Sequence, residues 1–125
     1  MRIALAALLA GIILTPCAVG AQPLANDAEI RSAFAGNTVS GEEKGQAYVE
    51  YFAPDGHIVG VNHEGRYKGN WQIFKNRMCV SYEEDNGKAS AWDCSHVGLS
   101  GARLSWTQDG ETSYSTIAAG NPRGL

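Results

Sequence analysis

Short runs of alternating apolar and polar residues, broken by turn-forming residues roughly every 8 to 12 positions, occupy most of the chain after Gly36. Side chains along a strand point to opposite faces in turn, so this alternation is typical of antiparallel strands with one buried face. The predicted strands are Thr38 to Gly41, Gln46 to Ala53, His57 to Asn62, Tyr67 to Phe74, Met78 to Glu84, Ala89 to Val97, Ala102 to Thr107 and Thr112 to Ala118. We therefore expect an all-β fold, a small antiparallel up-and-down barrel or sandwich of about eight strands.

Three turn sequences indicate how consecutive strands connect. Pro54-Asp55-Gly56 suits a type I turn followed by a left-handed glycine. Asn86-Gly87 and Asp109-Gly110 suit type I′ turns, which favour two-residue hairpins. Because such turns join neighbouring antiparallel strands, they predict a meander.

One short helix is predicted ahead of the strands. Asn26 can cap it, with Glu29 three residues on, and the helix is expected over Ala28 to Ala35. Ile30 and Phe34 are apolar and lie at helical spacing within it, and Gly36 is expected to end the helix.

The N-terminus has the pattern of a cleavable signal peptide. Met1-Arg2 supplies positive charge, Ile3 to Leu14 is apolar, and Val19-Gly20-Ala21 places small residues where signal peptidase cuts. The apolar run is shorter than the roughly 20 residues that a membrane-spanning helix needs. We therefore predict a signal peptide at residues 1–21, no membrane span, and a single β-barrel domain at residues 22–125.

The cysteines predict one disulfide. Cys17 follows Leu14-Thr15-Pro16 rather than the small residue of a lipoprotein signal, and is expected to leave with the signal peptide. Cys79 and Cys94 remain, an even pair in an exported chain. With Asn86-Gly87 at the centre of a hairpin they lie directly opposite each other, at a hydrogen-bonded pair with Cα atoms about 5.5 Å apart.

The predicted inward faces carry aromatic and hydroxyl side chains. The Asp109-Gly110 turn sets Trp106 opposite Ser113 and Leu104 opposite Ser115, while Trp71 lies on the apolar face of its strand. Trp71, Trp106, Ser113 and Ser115 could line a ligand cavity, because eight-stranded barrels are wide enough for one small molecule. The alternative is a filled core in which the tryptophans bond to the serines.

The inward face of the cysteine hairpin is harder to assign. One face carries Met78, Val80 and Tyr82, and the other carries Cys79 and Trp92. We favour the first as the interior face.

Charge and motifs argue against several function classes. A formal net charge of −3 with no basic cluster argues against nucleic acid and anionic membranes. His57, His63 and His96 have no recognised metal-ligand spacing, so no metal or other cofactor is predicted. The chain has no Gly-x-Ser-x-Gly motif and no paired acid and base. We predict no catalytic residue and a protein that is not an enzyme.

Short motifs are spread over nearly all of residues 22–125. They are Gly36-Asn37-Thr38, Tyr51-Phe52-x-Pro54-Asp55-Gly56, Gly69-x-Trp71, Cys79-x-x-Tyr82, Cys94-x-x-Val97 and Gly120-Asn121-Pro122-x-x-Leu125. Together they resemble a group of small exported alphaproteobacterial proteins that share a domain of unknown function. The resemblance implies a periplasmic protein of a Gram-negative bacterium and supports the disulfide. It implies no activity and no functional residues.

A second, shorter motif bears on function. Ser100-Gly101-Ala102-Arg103, followed by Trp106, resembles a segment of the C-type lysozyme inhibitors, which are also small exported β-barrels. The resemblance implies that Ser100 and Arg103 form an inhibitor loop. No Lys-Gly follows the tryptophan, however, and the cysteines are spaced differently.

The sequence therefore favours a periplasmic or secreted, non-enzymatic barrel that binds a small molecule or an envelope component. The alternative is a protein-interaction module such as a lysozyme inhibitor, whose partner is an envelope protein.

Overall fold

The strands form a closed barrel in a computed structural model that describes residues 23–125. Each strand pairs antiparallel with the next one along the chain, and the last pairs with the first. This confirms the all-β, up-and-down prediction, and closure makes the fold a barrel rather than a sandwich. The predicted signal peptide at residues 1–21 and Cys17 lie outside the described residues.

The elements follow the predicted order, one helix and then eight strands. Their bounds are α1 Asp27–Phe34, β1 Asn37–Glu43, β2 Gln46–Phe52, β3 His57–Asn62, β4 Gly65–Phe74, β5 Arg77–Tyr82, β6 Asp93–Ser100, β7 Arg103–Gln108 and β8 Glu111–Ala118.

Two-residue turns make several of the hairpins. Asp109 and Gly110 have φ angles of 50° and 79°, which is the left-handed geometry that a type I′ turn requires at both positions. The predicted register follows, with Trp106 opposite Ser113. Lys75 and Asn76 adopt the same geometry without any glycine, and the sequence pattern did not predict that turn.

The hairpin between β5 and β6 differs from the prediction in its turn. Gly87 has a φ of 77° whereas Asn86 does not have a positive φ, so the turn is not type I′. The Gly87 N–H instead donates to the Glu84 carbonyl at 2.8 Å, closing a four-residue turn. Glu83 pairs with Ala89, which is one residue away from the predicted register. An extra residue on the β6 side restores that register further along the hairpin, where Cys79 pairs with Cys94.

The predicted disulfide is confirmed, at a different kind of strand pair. Cys79 and Cys94 are directly paired and joined, with their Cα atoms 4.0 Å apart. That separation belongs to a non-hydrogen-bonded pair, not to the predicted hydrogen-bonded one. The observed turn begins at Glu84, one residue earlier than a type I′ turn on Asn86-Gly87 would. Strand pairs of β5 that would be hydrogen-bonded in the predicted hairpin are therefore non-hydrogen-bonded.

Helix α1 closes one end of the barrel. Asn26 and Glu29 form the predicted capping box, with the Glu29 N–H donating to Asn26 Oδ1 at 2.9 Å and the Asn26 N–H donating to Glu29 Oε1 at 3.3 Å. The buried Phe34 ring meets Phe52 and Trp106 edge to face, with centroids 5.0 and 5.4 Å away. Within residues 23–125, no helix has the length and apolar composition needed to cross a membrane.

The turn between β4 and β5 holds the helix in place. The Asp27 N–H donates to Asn76 Oδ1 at 2.9 Å, and the Asn76 N–H donates to Asp27 Oδ1 at 2.6 Å. This reciprocal pair fixes the start of α1 against the barrel, and the opposite end of the barrel carries no helix in the described part of the chain.

Candidate ligand cavity

The half of the barrel away from α1 encloses an open cavity of about 800 Å³. Its mouth lies among the Lys44 and His63 turns, and its deeper wall includes Val80, Met78 and Trp106. The volume falls in the range of sites that hold small organic ligands. The closed end is filled by side chains, so the interior is packed at one end and hollow at the other.

A buried carboxylate faces this cavity. Glu50 lies on β2 between the inward-facing Tyr48 and Phe52, and only 7 % of its surface is exposed. The hydroxyls of Tyr67 and Tyr82 each donate to Glu50 Oε1 at 2.8 Å. Their rings meet edge to face with centroids 5.8 Å apart. The two tyrosines therefore support each other while holding one carboxylate oxygen.

Burial governs the titration of this cluster. Burial raises the pKa of Glu50, and the two phenol hydrogen bonds oppose the shift, while the negative charge of Glu43 adds to it. Burial also raises the pKa values of Tyr67 and Tyr82, and the charge of Glu50 raises both further. Both phenols consequently remain protonated donors over the physiological pH range.

No cation of the protein compensates Glu50. Among residues 23–125, the ion pairs join His57 to Asp55 and His63 to Glu64, and no Lys, Arg or His nitrogen lies within ion-pair distance of Glu50. An ionised carboxylate in a buried site normally requires a charged partner. When Glu50 is ionised, the only partners that the described residues provide for its charge are the neutral phenols of Tyr67 and Tyr82.

Glycines opposite the tyrosines create the room that the rings occupy. Gly60 pairs directly with Tyr67, and Gly69 pairs with Tyr82. A Cβ atom at Gly60 would overlap Tyr67 Cζ, and one at Gly69 would lie 2.9 Å from Tyr82 Cδ1. Gly41 has the same relation to Tyr48, with its Cβ position 2.7 Å from the hydroxyl oxygen. Each ring lies over a glycine of the neighbouring strand.

Replacing Gly60 by alanine tests this arrangement. We expect Gly60→Ala to lower the free energy of unfolding by about 1 to 3 kcal/mol, because the new methyl group overlaps the Tyr67 ring. Denaturant unfolding measures the loss. In a Tyr67→Ala background the same substitution should be nearly neutral, since the obstructing ring is gone. An equal loss in both backgrounds would contradict the proposed contact.

The sequence-predicted cavity residues separate into two groups. Trp106 and Ser113 line the cavity, and Trp106 Nε1 donates to the buried Ser115 Oγ at 2.7 Å. Trp71 does not line the cavity, because it lies further along β4, at the closed end of the barrel. There its Nε1 donates to the Ala53 carbonyl at 2.9 Å.

In the β5–β6 hairpin, the face predicted to point inward does so. Met78, Val80 and Tyr82 line the cavity, and Cys79 and Cys94 alternate with them on the other face.

The Ser100 to Arg103 segment lies at the closed end, far from the cavity mouth. Ser100 pairs with Arg103 across the turn between β6 and β7. The Arg103 guanidinium lies over the Tyr114 ring, 4.1 Å from its centroid. The structure does not bring this turn together with any residue of the cavity.

Histidines and acidic residues do not assemble into a metal site in the described part of the chain. No group of three potential His, Cys, Asp or Glu ligands comes together within residues 23–125. His57 Nδ1 lies 3.0 Å from its near neighbour Asp55, and both are largely exposed.

The sequence interpretation missed Glu50, Tyr48, Tyr67 and Tyr82 as members of one site. The available indication was the alternation in β2, where Tyr48, Glu50 and Phe52 share a face. An acidic residue between two aromatic residues on a core-facing strand is unusual enough to mark a functional position. Gly60 within β3 and Gly69 within β4 were a second indication, because a glycine inside a strand often marks the close approach of another group.

Fold and cavity together define a closed eight-stranded antiparallel barrel with a helix at one end and an acidic, aromatic cavity at the other. No protein-family model, curated protein or solved structure shows a significant match to this chain.

Proposed function

We propose that this protein is a non-enzymatic binding protein that holds a small molecule in the open end of its barrel. The observation that supports this most strongly is the hollow half of the interior, about 800 Å³, with a buried carboxylate and aromatic side chains in its wall. Ligand sites combine such apolar surface with a few placed polar groups.

The barrel is suited to presenting a preformed site. Every strand has two hydrogen-bonded neighbours, and α1 and the disulfide restrain the wall. A cavity held open in this way needs little reordering when a ligand enters, which favours affinity.

We further propose that the protein works in the periplasm or outside the cell. The Cys79–Cys94 disulfide supports this location, because structural disulfides persist in oxidising compartments. The predicted signal peptide at residues 1–21 supports it as well.

An environment-sensitive dye tests whether the cavity binds small molecules. We expect N-phenyl-1-naphthylamine to bind with one site per protein and to gain fluorescence on leaving water. Ser113→Phe should abolish this binding, because Ser113 lines the cavity. Thr116→Phe, on the outward face of the same strand, should leave it unchanged and serves as the matched control.

Two outcomes of that experiment would contradict the proposed function. One is the absence of dye binding by the folded protein. The other is equal binding by the Ser113→Phe and Thr116→Phe variants, which would place the dye outside the barrel.

A further inference from the structure

We infer that the ligand is an organic cation whose ammonium group lies against Glu50, among the side chains of Tyr48, Tyr67 and Tyr82. This inference rests on the proposed function and specifies the chemical class of its ligand.

The hydrogen bonding of Glu50 leaves one oxygen free for a ligand. Tyr67 and Tyr82 both donate to Oε1, and no group within residues 23–125 donates to Oε2. A carboxylate accepts through both oxygens, so the second is a vacant acceptor in a nearly buried site. A cation would supply the charge compensation that the protein itself does not place near Glu50.

The aromatic side chains favour a cation over a neutral ligand. Tyr48, Tyr67, Tyr82 and Trp106 all line the cavity. Aromatic rings attract cations through the negative potential of their faces, and groups of such rings recognise ammonium and quaternary ammonium ligands. A buried carboxylate within an aromatic wall combines both sources of attraction.

The charge around the cavity mouth favours the same class. Glu42, Glu43 and Asp93 line the cavity in addition to Glu50, against the single lysine Lys44. Clefts lined by one sign of charge concentrate ligands of the opposite sign. An anionic ligand would be repelled by these carboxylates, and it would also have to lose its hydration shell beside Glu50.

NMR titration of the whole protein with three compounds that each carry a six-carbon chain tests the inference. The compounds are hexyltrimethylammonium, hexan-1-ol and hexanoate, which share a chain and differ in head-group charge. We expect hexyltrimethylammonium to shift the backbone amides of β2, β4 and β5 around the cavity. The neutral alcohol and the anion should bind about tenfold more weakly.

Two matched variants locate the ammonium group. Glu50→Gln should weaken hexyltrimethylammonium binding by about tenfold and leave hexan-1-ol binding unchanged. Glu43→Gln removes the same charge at the solvated mouth and should weaken cation binding by no more than about twofold, because exposed charges are screened. Melting curves of both variants establish that each is folded.

The pH dependence of cation binding gives an independent measurement. Since burial raises the pKa of Glu50, its proton is taken up above the range of an exposed glutamate. Cation affinity should therefore be full above that pKa and fall as the pH drops through it. The other charged or titratable groups at the cavity mouth stay in place in Glu50→Gln, and they are Glu42, Glu43, Lys44, His63 and Asp93. The difference between the wild type and Glu50→Gln in the pH dependence of cation affinity is therefore the part that Glu50 contributes.

Several results would overturn the inference. They are tighter or equal binding of hexan-1-ol or hexanoate, equal weakening by Glu50→Gln and Glu43→Gln, and cavity amides that respond to none of the three compounds. Hexan-1-ol binding in the cavity without cation preference would refute the ligand class and leave the proposed function standing. Failure of the naphthylamine dye to bind would refute the proposed function itself.

Discussion

Phe34→Ala is expected to lower the free energy of unfolding by about 3 to 5 kcal/mol. The Phe34 side chain is fully buried and is the main contact of α1 with Phe52 and Trp106. Removing it leaves a void at the closed end, because the strands are held by their hydrogen bonds and cannot collapse inward. Chemical denaturation followed by circular dichroism measures the change.

Phe74→Ala is the matched control for this substitution. Phe74 is 51 % exposed, so the same change of side chain removes much less buried surface. We expect a loss below about 1 kcal/mol. Similar losses for the two variants would show that α1 does not close the barrel through Phe34.

Loss of the disulfide is expected to have the second largest effect on stability. The bridge closes a loop with a sequence separation of 15 residues, for which the chain-entropy model gives about 3 kcal/mol. In a domain of this size that corresponds to a fall in melting temperature of about 10 °C or more. Thermal unfolding of the wild type and of the Cys79→Ala/Cys94→Ala variant measures it.

Reductant provides the control for the disulfide experiment. Refolding under reductant should lower the melting temperature of the wild type and leave that of the double variant unchanged. A wild-type melting temperature that does not respond to reduction would mean that the bridge contributes nothing to stability.

The strands and most connections could be predicted because their information is local. Alternation defined which residues share a face, and Asp109-Gly110 defined both a turn and its register. Lys75-Asn76 escaped prediction because a left-handed lysine is set by the strands on either side, not by its own preference. Asn86-Gly87 misled because an Asn-Gly pair also fits the end of a four-residue turn.

The cavity could not be predicted because its members meet only when the barrel closes. Tyr67 and Tyr82 are 17 and 32 residues from Glu50 along the chain. Alternation shows that Tyr67 and Trp71 face inward, but it does not show that one lies in the hollow half and the other at the closed end. The level of a side chain along the barrel axis depends on strand tilt and stagger, which no single strand encodes.

The division of the interior has a simple physical origin. Helix α1 fills one end with Ile30 and Phe34, whereas Gly41, Gly60 and Gly69 remove side chains from the wall further up the barrel. Tyrosines cover these glycines and leave the centre open. The hydroxyls of Tyr67 and Tyr82 converge on Glu50, so two of the rings that cover the glycines also hold the polar group inside the cavity.

A crystal structure of the protein co-crystallised with hexyltrimethylammonium tests most directly whether a cation binds beside Glu50. We predict electron density for the compound inside the open half of the barrel, with its nitrogen within about 6 Å of the tyrosine rings and beside the Glu50 carboxylate. Density for the compound only on the outer surface, or a cavity filled by the protein's own side chains, would contradict this prediction.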